Sequence, residues 1–268
     1  MKKVKAKKYL GQHFLNDTGI ARTIVESLQT PPHKVIEVGS GMGVLTRYLL
    51  QRDDLDVRFV EIDHESILYL LEHYPETGRH LIEKDFLKIR IEDIFKGQCS
   101  IIGNFPYNIS SQIFFKTFDN RHLVTSLVGM VQREVGRRIA SPHGSKEYGI
   151  LSVLLQSFYD IEYLFTVDEH VFTPPPKVKS GVIRMTRNSV QQLTCNEKLF
   201  IKTVKAAFNQ RRKTLRNSLQ KLPFNLEAVK HLPVFGLRPE QLSVSGFQEL
   251  TLLIEEHIVE SEEPRIES

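Results

Sequence analysis

The residues whose types and spacing suggest chemistry form one short turn, Asn104-Phe105-Pro106-Tyr107, directly after the apolar run 100–102. The side-chain oxygen of Asn104 and the carbonyl of Phe105 could each accept one N–H of an exocyclic purine amine. Pro106 biases Phe105 toward an extended conformation, which directs that carbonyl away from its own strand. The ring of Tyr107 could stack on the same base. An ordinary Asn-Pro turn explains the tetrapeptide about as well, so the rest of the chain decides.

Three earlier strand ends carry signals of the same kind. The predicted strand 34–38 runs into a glycine-rich turn in which Gly39 and Gly41 lack a Cβ, so the backbone can approach a ligand closely. The next two predicted strands end in carboxylates, Glu61 and Asp85, and a carboxylate at such a position can bind a ribose diol. A helix cap is the better explanation for each carboxylate alone. The ordered set predicts a cofactor pocket at the carboxyl ends of parallel strands.

The elements that must position these residues alternate between strand and helix. Strands are predicted at 34–38, 57–61, 81–86, 99–103 and 124–132, and helices at 44–51, 64–73, 110–118, 133–139 and 150–158. This alternation predicts an α/β fold whose sheet is mostly parallel, with helices on both faces. Two late strands, 159–167 and 181–185, are predicted to pair at the sheet edge.

Two flanking segments are predicted to complete the pocket. Residues 7–17, the N-terminal arm, lead into a helix that Asp17 or Thr18 can cap and that Pro31-Pro32 ends. Three consecutive prolines at 174–176 predict a stiff, extended segment, which could present Phe172 to the pocket. A plain linker is the alternative for the proline segment.

Charge is distributed unevenly along the chain. The formal net charge is only +4 over 268 residues, but positions 1–8 are basic, 198–226 contain no acidic residue, and the tail from 255 is acidic. This asymmetry is typical of proteins with a polyanionic partner, and nucleic acid is the best candidate. A solvated surface is the competing explanation for any single charged run.

Cysteine content and hydropathy bear on the compartment. The chain contains two cysteines, Cys99 and Cys195, without metal-type spacing, which favours a reducing compartment. We find no apolar run long enough to span a bilayer, and the basic start lacks the apolar core of a signal peptide. The sequence therefore predicts a cytoplasmic protein with no membrane association and no metal site.

A change in composition near 188–194 predicts a domain boundary, with residues 1–188 forming the catalytic domain and 189–268 a small helical domain. Beyond the boundary, apolar residues recur on one side of a helical wheel and basic residues on the adjacent side. Such a helix can pack on its own domain and offer cations to phosphates. The candidate nucleic-acid-binding residues are Lys205, Arg211, Arg212, Lys213 and Arg216.

The chain resembles the ribosomal RNA small-subunit adenine N6,N6-dimethyltransferase A family, part of the rRNA adenine N6-methyltransferase superfamily. The matching segments cover nearly the whole chain in the expected order. They are KKYLGQHFLND, VIEVGSGMGVLT, VEID, EKDF, GNFPYNIS, VFTPPPKVKSGV and AFNQRRKTLRNSL. The resemblance implies a Rossmann-like class I S-adenosylmethionine-dependent methyltransferase sheet with a late antiparallel strand, followed by a small all-α domain.

The resemblance also implies a cofactor, a substrate and a set of site residues. The implied cofactor is S-adenosyl-L-methionine. The implied substrate is two adjacent adenosines near the 3′ end of small-subunit (16S) rRNA, within the precursor of the 30S subunit. The implied enzyme is a monomer with a role in small-subunit biogenesis. The implied catalytic residues are Asn104, Phe105, Tyr107 and Phe172. The implied cofactor-binding residues are His13, Leu15, Gly39, Gly41, Glu61, Ile62, Asp85, Phe86 and Asn104. Many relatives have Asn at His13, and most have Leu, Ile or Pro at Phe105.

Three other functions remain open on the sequence. An antibiotic-resistance methyltransferase acting on large-subunit rRNA would share the pocket motifs, although the run 210–216 favours the small-subunit family. A nucleic-acid-binding assembly or transcription factor would keep the fold without the chemistry, which the intact pocket residues disfavour. A DNA adenine methyltransferase is disfavoured by the small basic C-terminal domain.

Overall fold

A computed structural model describes residues 4–29, 31 and 33–259, which fall into two compact units. The first unit comprises 4–140 with 159–188, and the second comprises 141–158 with 189–259. The sequence placed 141–158 in the catalytic domain, and here the structure differs. Tyr148 in this segment is 1% exposed and packs edge-on against Phe208 of the second unit, with ring centroids 6.2 Å apart. A polar loop at 142–149 precedes this helix, but such a loop is equally typical of a connection within one domain, so the sequence did not indicate a change of unit.

The described part of the first unit contains nine strands, of which seven form one sheet and two form a separate pair. In chain order the strands are β1 (Phe14–Leu15), β2 (Lys34–Val38), β3 (Asp56–Glu61), β4 (Leu81–Glu83), β5 (Cys99–Asn104), β6 (Val124–Gln132), β7 (Tyr159–Val167), β8 (Phe172–Thr173) and β9 (Ser180–Arg187). The sheet order is β4-β3-β2-β5-β6-β9-β7, and β1 pairs separately with β8. From β2 the chain moves outward first to β3 and β4 and then, on the other side, to β5 and β6. Ligands bind at this kind of topological switch point, beyond the carboxyl ends of the strands.

The sheet confirms the predicted fold class. Strands β2 to β6 pair in parallel, whereas β9 runs antiparallel to both of its neighbours, β6 and β7. The two late strands therefore do pair, with β7 at the edge. The central strands β5 and β6 are buried almost throughout, which explains their continuous apolar sequences. Burying each large aliphatic side chain contributes about 1.5–3 kcal/mol.

Six helices of the first unit connect these strands within its described residues. They are α1 (Thr18–Glu26), α2 (Thr46–Leu49), α3 (His64–His73), α4 (Ile91–Ile94), α5 (Ser110–Asp119) and α6 (Arg133–Ala140). The predicted cap of α1 is confirmed, since Asp17 Oδ1 accepts a hydrogen bond from the Ile20 N–H at 2.9 Å. The helix already ends at Glu26, before Pro31, and Pro32 lies outside the described residues. The predicted helix 44–51 is a single turn, α2.

The second unit is helical in the residues described. It contains α7 (Ile150–Gln156), α8 (Glu197–Asn209), α9 (Leu215–Ser218), α10 (Leu226–Val229) and α11 (Val244–Glu256). Asn196 caps α8 by accepting from the Leu199 N–H at 3.0 Å, and the helix buries Phe200 and Val204. The predicted apolar stripe is therefore buried, but it is divided between helices, because α8 ends at Asn209 and α9 begins only after Thr214. Among the described residues, none of the helices has both the length and the apolar character that a bilayer crossing requires.

Candidate active site

A cavity of about 240 Å³ lies at the carboxyl ends of the parallel strands of the first unit, where the sequence predicts a pocket. Its walls come from the N-terminal arm, the glycine loop after β2, the end of β3, the loop after β4 and the turn after β5. The lining residues are 9–15, 37–42, 44–45, 60–62, 84–87 and 104–109. The parallel register of β2, β3 and β5 brings these segments, which are distant in sequence, to the same edge of the sheet.

Two glycines of the loop after β2 adopt a backbone conformation that favours glycine. Gly39 and Gly41 have φ values of 74° and 54°, in the left-handed region that glycine adopts without steric cost. A Cβ at Gly41 would lie 3.1 Å from the ring of Phe14 in the arm. The Gly41 N–H donates to Glu61 Oε2 at 2.8 Å, which joins the ends of β2 and β3.

Glu61 is a nearly buried carboxylate, 4% exposed, that lines the cavity. Besides Gly41, the N–H groups of Ile62 and Asp63 both donate to its Oε1 at 2.8 Å. Burial raises the pKa of Glu61, and these backbone hydrogen bonds oppose the shift. A carboxylate offers about four lone-pair sites, so roughly one remains for a donor such as a ribose hydroxyl.

A second carboxylate, Glu37, lies in the cavity wall near Glu61 and is 1% exposed. Its Oε2 accepts from Thr46 Oγ1 at 2.7 Å. Burial raises the pKa of Glu37 to about 7, the hydroxyl of Thr46 lowers it, and the charge of Glu61 raises it further. The cavity wall therefore contains a carboxyl group, that of Glu37, with a pKa close to neutral pH. The sequence motif does not indicate this.

The loop after β4 supplies a polar and an apolar group to the cavity. Asp85 keeps 28% of its side chain exposed, and its Oδ1 accepts from the Leu87 N–H at 2.9 Å. Phe86 is 4% exposed and Ile62 is 50% exposed, so the two differ in how much surface they can offer to a flat ring. Lys116 on α5 holds this loop by donating to the carbonyls of Leu87, at 3.1 Å, and Ile89. The sequence did not identify Lys116, because a lysine on a helix carries no motif.

Asn104 lies at the cavity with its amide orientation determined. Its Nδ2 donates to the backbone carbonyl of His13 at 2.9 Å. A carbonyl can only accept, so the amide NH₂ must face His13, and Oδ1 must be the other end. Among the residues described, none donates a hydrogen bond to this Oδ1. An acceptor is thus presented at the position where the sequence predicts contact with a purine amine.

Phe105 contributes to the cavity through its main chain. Its side chain is 1% exposed and packs edge-on against Phe114, with ring centroids 6.1 Å apart. Its N–H donates to the Met130 carbonyl at 3.0 Å, whereas its own carbonyl accepts from no residue in the described part of the chain. This is the geometry in which only the carbonyl of Phe105 is available to a ligand.

Tyr107 is fixed at both its ring and its hydroxyl. The hydroxyl forms a 2.6 Å hydrogen bond with Ser180 Oγ at the start of β9, and the ring lies 5.4 Å from the imidazole of His13. Tyr107 therefore remains a candidate platform for a base. Ser180 was not singled out in the sequence, because its partner is far away along the chain.

The predicted role of Phe172 is not supported. Phe172 is 3% exposed, belongs to the core beside Leu15, and is absent from the cavity wall. It forms part of β8, whose pairing with β1 places it opposite Leu15. The sequence predicted that the proline segment presents Phe172 to the pocket. Instead, the pairing of β8 with β1 directs the phenyl ring into the core.

The N-terminal arm covers one side of the cavity and is tied down at several points. Leu15 lines the cavity from β1, and His13 lines it while its Nδ1 donates to the Pro174 carbonyl at 2.8 Å. Asn108 Nδ2 donates to the Tyr9 carbonyl at 3.3 Å. Asp63 accepts hydrogen bonds from Lys7 and Gln12 of the arm. Burial raises the pKa of Asp63, but the hydrogen bonds from Lys7, Gln12 and Ser66 outweigh this effect, so the pKa is lowered overall. Sequence reasoning missed these anchors, although all lie within or next to the matching motifs.

The candidate RNA-binding residues of the second unit divide into two groups. Arg211 donates to the carbonyls of Ser145, at 3.4 Å, and Lys146, and Arg216 donates to the Lys230 carbonyl at 3.0 Å. These guanidinium groups hold backbone within their own unit. The remaining three, Lys205, Arg212 and Lys213, are exposed.

Comparisons with known proteins show a matching family, similar sequences and similar folds. The profile of the family described as ribosomal RNA adenine dimethylase matches residues 3–234. A ribosomal RNA small subunit methyltransferase A from Bacteroides thetaiotaomicron is 54% identical over 258 residues, 96% of this chain and 96% of that protein. A dimethyladenosine transferase structure from Plasmodium falciparum is 25% identical with a TM-score of 0.77, covering 92% of this chain and 100% of that one. The structure of the 23S rRNA methyltransferase ErmE, 24% identical with a TM-score of 0.65 over 88% of this chain and 98% of that one, shares the fold.

Proposed function

The chain belongs to the ribosomal RNA adenine dimethylase family, and from this premise we propose that it dimethylates N6 of two adjacent adenosines near the 3′ end of small-subunit rRNA. The methyl donor is S-adenosyl-L-methionine. The curated relative at 54% identity carries the name of a small-subunit methyltransferase, which supports this acceptor over large-subunit rRNA. The enzyme works in the cytoplasm as a monomer on a precursor of the 30S subunit.

The observation that carries the proposal is the pair of unused acceptors at the turn after β5. Asn104 Oδ1 and the Phe105 carbonyl come from consecutive residues at one cavity, and neither accepts a hydrogen bond from the described residues. An exocyclic amine carries two N–H donors, so it matches this pair. A hydroxyl has one O–H donor and would leave one of the two acceptors unused, and an ionised carboxylate has no donor at all.

The acceptors also suit the chemistry of an amine that is a poor nucleophile. The N6 lone pair is delocalised into the purine ring, and methyl transfer requires it to become localised on a pyramidal nitrogen. Two acceptors stabilise this nitrogen more as positive charge develops than in the planar ground state, which is differential transition-state binding. A bound cofactor supplies an electrophilic methyl group on a sulfonium. Water suffices to take the proton from the methylated amine.

The cavity residues fit the proposed cofactor. Gly39 and Gly41 allow close approach of the backbone, and Glu61 has lone-pair capacity for a ribose hydroxyl. Asp85 offers an acceptor for an adenine amino group, beside the apolar side chains of Ile62 and Phe86. His13 and Leu15 would close the cavity over the cofactor from the arm. The target base leaves its stack at a cost of about a few kcal/mol, and stacking on Tyr107 returns roughly 1–3 kcal/mol.

An adjacent cleft of about 320 Å³ supports RNA as the acceptor. It begins at Gln132, at the end of the strand next to β5, and register pairs Gln132 with Ser180, the partner of Tyr107. Its basic lining residues are Arg133, Lys177 and Lys179; the last is paired with Asp168. The lining carboxylates are Glu134, which is paired with Arg138 at 2.8 Å, and Glu169. Cations beside the target pocket suit the phosphates that flank a flipped nucleotide.

The test is transfer of labelled methyl groups from S-adenosylmethionine to undermethylated small subunits. We expect label on two adjacent adenosines near the 3′ end, mapped by reverse-transcription stops. At saturating cofactor, Asn104→Ala should lower the rate about 10²–10³-fold, as loss of one polar transition-state contact does elsewhere. Label in large-subunit rRNA or in DNA would contradict the proposed acceptor. Unaltered turnover of Asn104→Ala would contradict the proposed site.

A further inference from the structure

The N-terminal arm is anchored by three residues, of which Gln12 lines the cofactor cavity and Lys7 and Asp63 do not. Asp63, which is 2% exposed, accepts hydrogen bonds from Lys7 Nζ and, at 3.2 Å, from Gln12 Nε2. The Lys7 N–H donates to Gln12 Oε1 at 2.8 Å, which closes a ring of hydrogen bonds. Lys7 Nζ also lies 3.3 Å from Glu65 Oε1. Removing Lys7 leaves the buried Asp63 carboxylate with the donors of Gln12 and Ser66 but takes away the cation that compensates its charge, so the anchor favours the closed arm.

The residue after Gln12 connects this anchor to the catalytic turn. The His13 carbonyl accepts from Asn104 Nδ2 at 2.9 Å. On the other side, His13 Nδ1 donates to the Pro174 carbonyl at 2.8 Å, and β1 begins at the next residue, Phe14. The peptide unit of His13 is therefore fixed from both sides while the arm is closed.

The His13 carbonyl determines which end of the Asn104 amide faces the cavity. Among the described residues it is the only partner of Nδ2. The terminal torsion of an asparagine is broad and roughly two-fold, so an amide without this bond presents either its oxygen or its NH₂. If the NH₂ group faces the target amine, two N–H donors meet and no hydrogen bond forms between them. Opening of the arm thus removes the acceptor as well as one wall of the cavity.

We propose that Lys7, Gln12 and Asp63 are positioning residues that orient the Asn104 amide through the His13 carbonyl, so that closure of the arm is required for methyl transfer and not just for holding the cofactor. The inference rests on the proposed function for the identity of the chemical step. The structural coupling itself does not depend on the identity of the substrate.

Steady-state kinetics separate this role from that of a simple cover. Lys7→Met removes the anchoring charge and keeps the length of the side chain. At saturating cofactor and RNA, we expect its kcat to fall about threefold to tenfold, the effect of one lost hydrogen bond. Lys7→Arg should retain most of kcat, and Lys8→Met, at the exposed neighbouring position, should match the wild type. Full recovery of kcat at saturating cofactor, or an equal loss in Lys8→Met, would overturn the proposal.

A second measurement needs no activity. The side-chain amide resonances of Asn104 can be assigned in ¹H–¹⁵N spectra by their loss in Asn104→Ala. In Lys7→Met we expect them to shift and to exchange with solvent faster, with no such change in Lys8→Met. Resonances unchanged by Lys7→Met would refute the coupling. A wild-type protein that transfers no methyl group would refute the proposed function and leave this result standing.

Discussion

At Asn104, the identity of each amide atom follows from its neighbour, because the His13 carbonyl accepts and cannot donate. The sequence predicted an acceptor here from the residue type and from its place after a buried strand. It could not predict that a residue of the N-terminal arm holds the other end of the amide. Residue types identify what a side chain can do, whereas its orientation depends on partners that are distant in the chain.

Glu37 provides a prediction at the same scale, concerning pH. Its folded-state pKa is about 7, raised mainly by burial, whereas in an unfolded chain a glutamate titrates at about 4.3. Between these values the folded protein retains a proton that the unfolded chain has lost. The free energy of unfolding therefore falls as pH rises through this window, by about 3–4 kcal/mol in total, and levels off above it.

Glu37→Gln keeps the shape of the side chain and cannot ionise. We expect the variant to be about as stable as the wild type near pH 4, more stable by about 1 kcal/mol near pH 5, and more stable by about 3–4 kcal/mol near pH 8, measured by urea unfolding. Glu72→Gln, at an exposed position of α3, should follow the wild type at every pH. A difference between wild type and Glu37→Gln that is constant across this range would show that Glu37 ionises normally in the folded protein.

At the scale of elements, the sequence predicted most strands and the order of their polar ends, because parallel strands bring consecutive carboxyl ends to one edge. It did not predict the pairing of β1 with β8, since two-residue strands carry no periodic signal. This pairing places Phe172 in the core. The anchors at Lys7 and Asp63 were missed for a related reason, because charged residues in a loop look like surface in sequence.

The packing of β5 against β6 yields a prediction about the catalytic turn. Gly103 and Gly129 are paired in register, and the ring of Phe105 lies over both. A Cβ at Gly129 would lie 2.3 Å from Phe105 Cε2, and the ring is 1% exposed, so it has little room to move. Gly129→Ala should destabilise the protein by about 1–3 kcal/mol and reduce methyl transfer, because it displaces the residue whose carbonyl is the proposed acceptor.

Phe105→Leu tests this explanation, because leucine lacks the ring atom that the new methyl group would meet. In the Gly129→Ala background it should recover part of the lost stability, which a double-mutant cycle measures as a favourable coupling. Gly236→Ala is the control, since a Cβ there meets no atom within 4 Å. Independent, additive effects of Gly129→Ala and Phe105→Leu would mean that the ring is not what the methyl group displaces.

At the scale of the whole molecule, the modest net charge of +4 conceals a basic surface on the second unit. The sequence grouped five cations there by composition, but the structure gives them different roles. Arg211 and Arg216 bind backbone carbonyls, so replacing them would disturb the unit itself. Arg212 and Lys213 are exposed in the segment between α8 and α9, where a loss of charge can be tested without loss of internal contacts.

Replacing both residues, Arg212→Gln with Lys213→Gln, should therefore weaken RNA binding through lost phosphate contacts alone. Each contact releases counterions with a slope of roughly −0.7 to −0.9 in a plot of log K against log salt, so the slope should become shallower by about 1.5. Cofactor affinity and unfolding should match the wild type, because neither residue supports the first unit. The pair Arg79→Gln with Lys96→Gln removes the same charge from exposed positions of the first unit and should leave the slope unchanged. Filter binding to small-subunit rRNA over a series of salt concentrations measures the slope for both double variants. Equal slopes for the two variants would mean that the basic surface acts by net charge and makes no specific phosphate contacts.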